Sequence, residues 1–211
     1  MIYFSSDLHG HHANIIKHCN RPFDSIEDMN DAMIQNINRV VKPNDTMYVI
    51  GDFVWWGGSE EQITNFRRKI NCKNLHLVIG NHDEPILDKL KPHFVSGDYL
   101  KEIRHAQRTI VMCHYAMRTW NQSHRGSFHL YGHSHGQLPD DPHSYSFDVG
   151  VDCHNFKPLS IEEVFEIMEK KKWVNPLANQ TDARKELASA SKRIESIKSH
   201  KQTGFITFGE I

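Results

Sequence analysis

Five short apolar runs in this chain each end on residues that can bind a cation or move a proton. Ile2–Phe4 leads to Asp7-Leu8-His9-Gly10, Met47–Ile50 to Gly51-Asp52, and Leu75–Ile79 to Gly80-Asn81-His82-Asp83. Ile110–Cys113 leads directly to His114, and Phe128–Tyr131 to Gly132-His133-Ser134-His135. Short apolar runs bounded by turn formers read as buried strands. Helical patterns at about His12–Asn20, Ile26–Val40 and Glu60–Ile70 lie between the early runs and are long enough to cross over between parallel strands. The alternation predicts an α/β domain. In open α/β sheets, ligands gather beyond the carboxyl ends of the strands, which is where these polar clusters fall. A further run, Ser146–Val149, adds a strand, and Tyr99–Ile103 with Gln107–Cys113 flank Arg104-His105-Ala106 as a hairpin, so parallel and antiparallel pairing are mixed.

Composition narrows the chemistry. The 211 residues suit one domain with a small appendage, and 38% hydrophobic with 24% charged residues excludes whole-chain disorder. No apolar run approaches the roughly 20 residues of a membrane span. The N-terminal residues Met1–Asp7 lack the basic and long apolar regions of a signal peptide. Cys19, Cys72, Cys113 and Cys153 form no CxxC pair and read as free packing thiols in a reducing, cytoplasmic setting. Strand alternation turns Cys113 away from the side served by His114. The 16 histidines are spread along the chain rather than collected in a tag, which favours metal or acid–base chemistry. Residues 170–211 carry nine Lys+Arg against four Asp+Glu, while residues 1–169 carry 16 against 22. The acidic body suits a cation site.

Ser160-Ile161-Glu162-Glu163 is a capping box, followed by Ile161, Val164, Phe165 and Met168 on one helical face and by Lys170–Lys172 at the negative end of the helix dipole. Beyond it the composition changes. We expect a catalytic domain over residues 1–174 and a basic helical appendage over residues 175–211. The appendage holds a polar stretch, Thr181–His200, with only Leu187, Ile194 and Ile197 as large apolar positions, and a final strand-like run, Gly204–Phe208. It offers a surface for nucleic acid or for a second copy of the chain.

Asp7, His9, Asp52, Asn81, His114, His133 and His135 exceed the three or four groups that hold one zinc-like ion and suffice for two. Mixed imidazole and carboxylate donors suit divalent transition metals, with manganese foremost and Fe, Zn, Ni or Co as alternatives. The ordered blocks DxH, GD, GNH, a lone H and GHxH resemble the calcineurin-like metallophosphoesterases, over residues 1 to about 172. Val149-Gly150-Val151-Asp152 with His154-Asn155 and Pro158-Leu159 is similar to the small bacterial and phage members. The resemblance implies two packed mixed β-sheets flanked by helices, an αββα sandwich. It implies that Asp7, His9 and His135 hold one metal, that Asn81, His114 and His133 hold the other, and that Asp52 bridges them. His82 would sit over the open site as general acid or transition-state stabiliser. The activity implied is hydrolysis of a phosphodiester or a small phosphomonoester, nucleotides included, by a metal-bridging hydroxide. The alternatives are a non-catalytic metal-bound module and a nucleic-acid-end nuclease or phosphatase using the basic tail. The GDxxDRG and GNHE blocks of protein serine/threonine phosphatases are absent, since Gly51-Asp52 continues as Phe53-Val54-Trp55-Trp56-Gly57 and Asp83 follows His82.

Other residues carry two readings each. Asp83 is an N-cap for a Glu84–Leu90 helix or has a catalytic role. His11 and His12 touch substrate or start a helix. Trp55 and Trp56 form an aromatic wall or core. Tyr115, Arg118, Trp120, His124 and Arg125 lie between two ligand blocks, where arginine suits a phosphate oxygen. Trp55, Arg118, His124 and Arg125 are the substrate-binding candidates. Asp148 and Asp152 either orient ligand histidines or form strand-end turns.

Overall fold

The computed structural model describes residues 1–178. The chain divides into a compact unit, Met1–Trp173, and a second unit, Val174–Ile211. The stretch Thr181–His200, with Leu187, Ile194 and Ile197, and the run Gly204–Phe208 lie outside the described residues. Among the described residues no helix is long and apolar enough to cross a membrane.

The elements run β1 (Ile2–Ser5), α1 (Ala13–His18), α2 (Ile26–Val40), β2 (Thr46–Ile50), α3 (Glu60–Lys69), β3 (Asn74–Val78), α4 (Leu87–Leu90) and β4 (Ser96–Asp98). Then come β5 (Leu100–His105), β6 (Arg108–Cys113), β7 (Phe128–Tyr131), β8 (Ser146–Asp148), β9 (Leu159–Ser160) and α5 (Ile161–Glu169). They build two mixed sheets flanked by helices, as the family resemblance implies. One sheet has the order β4-β3-β2-β1-β9, the other β5-β6-β7-β8. In the first, β1 to β4 are parallel and β9 is antiparallel; in the second, β6 to β8 are parallel and β5 is antiparallel.

Strand periodicity explains the layers. Alternate residues point to opposite faces, and both faces of β2 are apolar. Met47 and Val49 pack with Leu75 and Leu77 of β3 against Met29, Met33 and Ile37 of α2 and Ile63 and Phe66 of α3. Tyr48 and Ile50 join Phe4 and Val78 in a second core that meets Ile110, Met112, Phe128, Leu130 and Phe147 of the other sheet. The α5 residues Ile161, Val164 and Met168 complete that second core. Its capping box forms as expected, with the Ser160 hydroxyl accepting from Glu163 N–H and Glu163 accepting from Ser160 N–H. An equivalent box at Ser59 and Gln62 opens α3.

Three local expectations are corrected. The hairpin turn is Ala106-Gln107, with His105 still paired to Arg108; both turn residues have positive φ, 45° and 63°, as a two-residue loop of this hand requires. The Glu84–Leu90 segment opens as a 3₁₀ turn over Glu84–Ile86 and becomes α-helical only at Leu87, and the Asp83 side chain does not cap it. Of Lys170–Lys172, Lys171 leaves the helix end: its ammonium reaches Asp140 and the carbonyls of Asp141 and Ser146.

Candidate metal centre

The strand ends converge because the loops beyond them are stitched together. Past β1 and β2, Asp7 N–H donates to Gly51 O, His9 N–H to Asp52 O and Gly10 N–H to Phe53 O. Trp55 N–H returns to Gly10 O at 2.8 Å. A bridge between Ser6 and Gly150 joins the two sheets at the same edge. Two glycines admit this crowding. Gly51 sits at φ 89°, and a Cβ there would run into the His114 ring; a Cβ at Gly132 would overlap the Ser6 hydroxyl and the Asp7 carboxylate.

The seven candidate ligands meet here. Asp52 is central: its Oδ2 lies 3.5 Å from His9 Nε2 and 3.4 Å from His114 Nε2. Asn81 Oδ1 is 3.1 Å from His114 Nε2, and the His133 ring is 5.2 Å from that of His114. On the other side, the His135 ring stacks on His9 at 5.2 Å, and its Nε2 is 3.8 Å from Asp7 Oδ1. Both Asp7 oxygens also accept His133 N–H. Asp7, His9, Asp52 and His114 are all 1% exposed or less.

Three of the imidazoles are held in one way. His114 Nδ1 donates to Ile50 O at 2.9 Å, and His135 Nδ1 donates to Asp152 Oδ2 at 2.7 Å. His9 Nδ1 lies 3.3 Å from His12 Nδ1. Each Nδ1 is tied down, so each Nε2 faces the cluster, the arrangement found behind metal-bound histidines. His9 Nε2 and His82 Nδ1 are buried and, among the described residues, have no hydrogen-bond partner. An orphaned buried ring nitrogen costs about 1–3 kcal/mol unless something fills the gap. The donor set, two carboxylates, an amide oxygen and four imidazoles, fits divalent transition metals.

Charge agrees with this fit. Burial keeps His9 well below its ordinary value, hence neutral and able to ligate. Burial alone would raise Asp52, but the hydrogen bond and the charge of His114 hold it down at about 2. Burial would lower His114, yet Asp52 and Asp7 raise it to about 9. A cation at His114 therefore takes the place of a proton. Burial also raises Asp7 to about 6.

The backbone is strained at the same points. Asp7, His9, Asp52, His133 and His135 all have positive φ, between 48° and 67°. Such conformations are uncommon outside glycine and concentrate at functional sites.

His82 stands beside the cluster: its N–H donates to Asp52 Oδ1 at 3.0 Å and its ring is 5.1 Å from His9. His12 joins them, 5.7 Å from His82, with Trp55 stacked on it at 6.0 Å and 13°. Trp56 is 51% exposed. Tyr115 flanks the far side, 4.7 Å from His133. Arg118, His124 and Arg125 are exposed, and among the described residues no side-chain hydrogen bond or ring contact joins them to the cluster. Trp120 closes its own loop by donating to Ser127 O and covers His129. His11 turns away to Asn30 and Phe66. Asp148 serves turns, accepting Gly136 and Gly150 N–H. Asp83 neither caps nor faces the centre: it accepts N–H from Gly80, Asp52 and Phe53. Sequence reasoning missed Arg21, which pairs with Asp152 and is 4% exposed. It underrated His12, three residues after His9, where a repeat of histidine at that spacing was the available signal.

Comparison with known proteins agrees with this geometry. A family model described as calcineurin-like phosphoesterase matches residues 1–106. An uncharacterized protein of Methanocaldococcus jannaschii is 31% identical over 183 residues, 83% of this chain and 96% of that protein. The crystal structure of a protein of unknown function from Aquifex aeolicus, 23% identical, covers 79% of this chain and 98% of its own at a TM-score of 0.62, a likeness of fold.

Proposed function

The chain belongs to the calcineurin-like phosphoesterase family, and we propose that it is a dinuclear metal-dependent hydrolase that cleaves phosphodiesters in preference to small phosphomonoesters. The observation that carries this reading is the position of Asp52 Oδ2, about equally far from His9 Nε2 and His114 Nε2. A carboxylate so placed can serve two cations at once. Asp7, His9 and His135 would hold one, and Asn81, His114 and His133 the other, with manganese the first candidate. Bound there, divalent ions supply Lewis-acid stabilisation of phosphoryl oxygens and lower the pKa of a water toward neutrality.

The chain's own residues do the rest. Asp52 is kept ionised, so its charge offsets the repulsion between neighbouring cations. Asp152 and Ile50 fix the tautomers of His135 and His114, and His12 holds the ring of His9 in place, so little reorganisation is needed when substrate arrives. His82, anchored through its own N–H to Asp52, gives a proton to the leaving oxygen. Trp55, stacked on His12 beside His82, would flank a leaving group there.

The test is a panel of bis-p-nitrophenyl phosphate, p-nitrophenyl phosphate and cyclic nucleotides, assayed after reconstitution with Mn, Ni, Zn or Mg. Metal-dependent turnover with the diester ahead is expected. Full metal uptake with no turnover on any ester would make the chain a binding module instead.

A further inference from the structure

We infer that Arg21 is the positioning residue for one half of the centre, the Asp7, His9 and His135 half, and sets its metal affinity without touching a metal. The inference rests on the two-metal reading above. Arg21 lies just past α1, and its guanidinium is enclosed. Nε and Nη2 donate to the two carboxylate oxygens of Asp152, each at 2.8 Å. Nη2 also donates to Asp7 O at 2.7 Å, and Nη1 to Leu8 O at 3.1 Å.

Those contacts reach all three ligands of that half. Asp152 passes the constraint to His135, whose Nδ1 it accepts at 2.7 Å. The Asp7 and Leu8 carbonyls belong to the loop that carries Asp7 and His9. Asp7, His9 and His135 each sit at positive φ. Strained backbone persists only where its surroundings overdetermine it, and one guanidinium bound to both segments does that. Its planar fork matches a carboxylate with two parallel bonds and still has donors for the two carbonyls. Lysine offers a single point of charge and cannot span the set.

The other half is held differently. His114 is fixed by Ile50 O, and Asn81 bonds His114. Among the described residues Arg21 makes no bond to Asn81, His114 or His133. The two halves should therefore respond differently to loss of Arg21.

The experiment titrates Mn²⁺ alone into the metal-free full-length protein and counts bound ions by equilibrium dialysis and electron paramagnetic resonance. Arg21→Lys should weaken one of the two binding steps by about 10–100-fold and leave the other unchanged. Asp152→Asn, which keeps the shape of the side chain, should weaken the same step. The double variant should lose less than the product of the two single losses, because both act on His135. If Arg21→Lys does not fold, Asp152→Asn carries the test. Unchanged affinities, or equal weakening of both steps, overturn the assignment. So does a lower melting temperature of the metal-free protein with both affinities intact, which marks support of the fold alone. Wild-type protein that takes up no Mn²⁺ overturns the two-metal reading as well.

Discussion

The carboxylate of Asp83 holds the backbone of Asp52: Oδ2 accepts Asp52 N–H at 2.8 Å, while Oδ1 accepts Phe53 N–H at 2.9 Å. Oδ2 also accepts Gly80 N–H, and Asp83 is fully buried. Burial, reinforced by the charge of Asp52, raises Asp83 to about 7. Asp83→Ala leaves three buried donors without an acceptor, so stability should fall by about 3 kcal/mol or more in urea unfolding. A loss below about 1 kcal/mol would mean that water replaces the carboxylate.

Asp52→Asn should lower metal content and turnover more than removal of His9 or of His133 alone. On the proposed two-metal reading the amide loses the charge that both cations share, whereas either histidine serves one. Elemental analysis of wild type should approach about two ions per chain. Equal metal content in Asp52→Asn and wild type would take Asp52 out of the bridging position.

His82→Ala should keep its metal and lose turnover by about 10²–10⁴-fold. The loss should shrink for p-nitrophenyl esters, whose leaving group departs without a proton. If the variant instead arrives depleted of metal, His82 is a ligand.

His129 predicts a pH dependence separate from the centre. Its Nδ1 donates to Val111 O and its Nε2 accepts Met117 N–H, so only the neutral ring satisfies both. Burial lowers its pKa to about 4. The unfolded chain takes up this proton first, near pH 6.5. The stability that the neutral ring provides is whole above that pH and is lost as pH falls toward 4. The loss should reach on the order of 3 kcal/mol. Comparing His129→Gln with wild type isolates it: the variant should decline less over that range, and parallel declines would exclude His129 as the source.

Truncation after Trp173 should preserve metal content and turnover on a small ester. Lys172 N–H donates to Pro142 O, and Trp173 stacks on Tyr145 at 5.6 Å, so the compact unit is closed at this point. Effects of the cut should fall on oligomeric state or on large anionic substrates. A folded truncation that cannot retain metal would show that the tail completes the centre.

Legibility followed the range over which a signal acts. The periodicity of Ile26–Val40 is local, and α2 occupies those residues. The strand-end clusters were readable because each ligand follows its own apolar run. Arg21 was not readable: its partner Asp152 is 131 residues away, and nothing nearby distinguishes it from a surface arginine. The Ala106-Gln107 turn was misplaced because neither residue is a glycine or asparagine, the usual mark of positive φ. Asp83 looked like a cap because it precedes a helical turn, while two of its three partners, Asp52 and Phe53, come from another strand end.

The left-handed backbone at Asp7, His9, Asp52, His133 and His135 has an evolutionary consequence. Glycine at any of them would relax the chain and remove a candidate ligand in one step, relieving about 1–3 kcal/mol of backbone strain each time. At His133, the exposed one of the five, thermostability and the proposed chemistry thus select for opposite residues, whereas the Asp7 and Asp52 carboxylates accept N–H groups that glycine would leave unpaired. A descendant of this chain released from its chemistry should drift to glycine at His133 first, and should melt at a higher temperature as it does so.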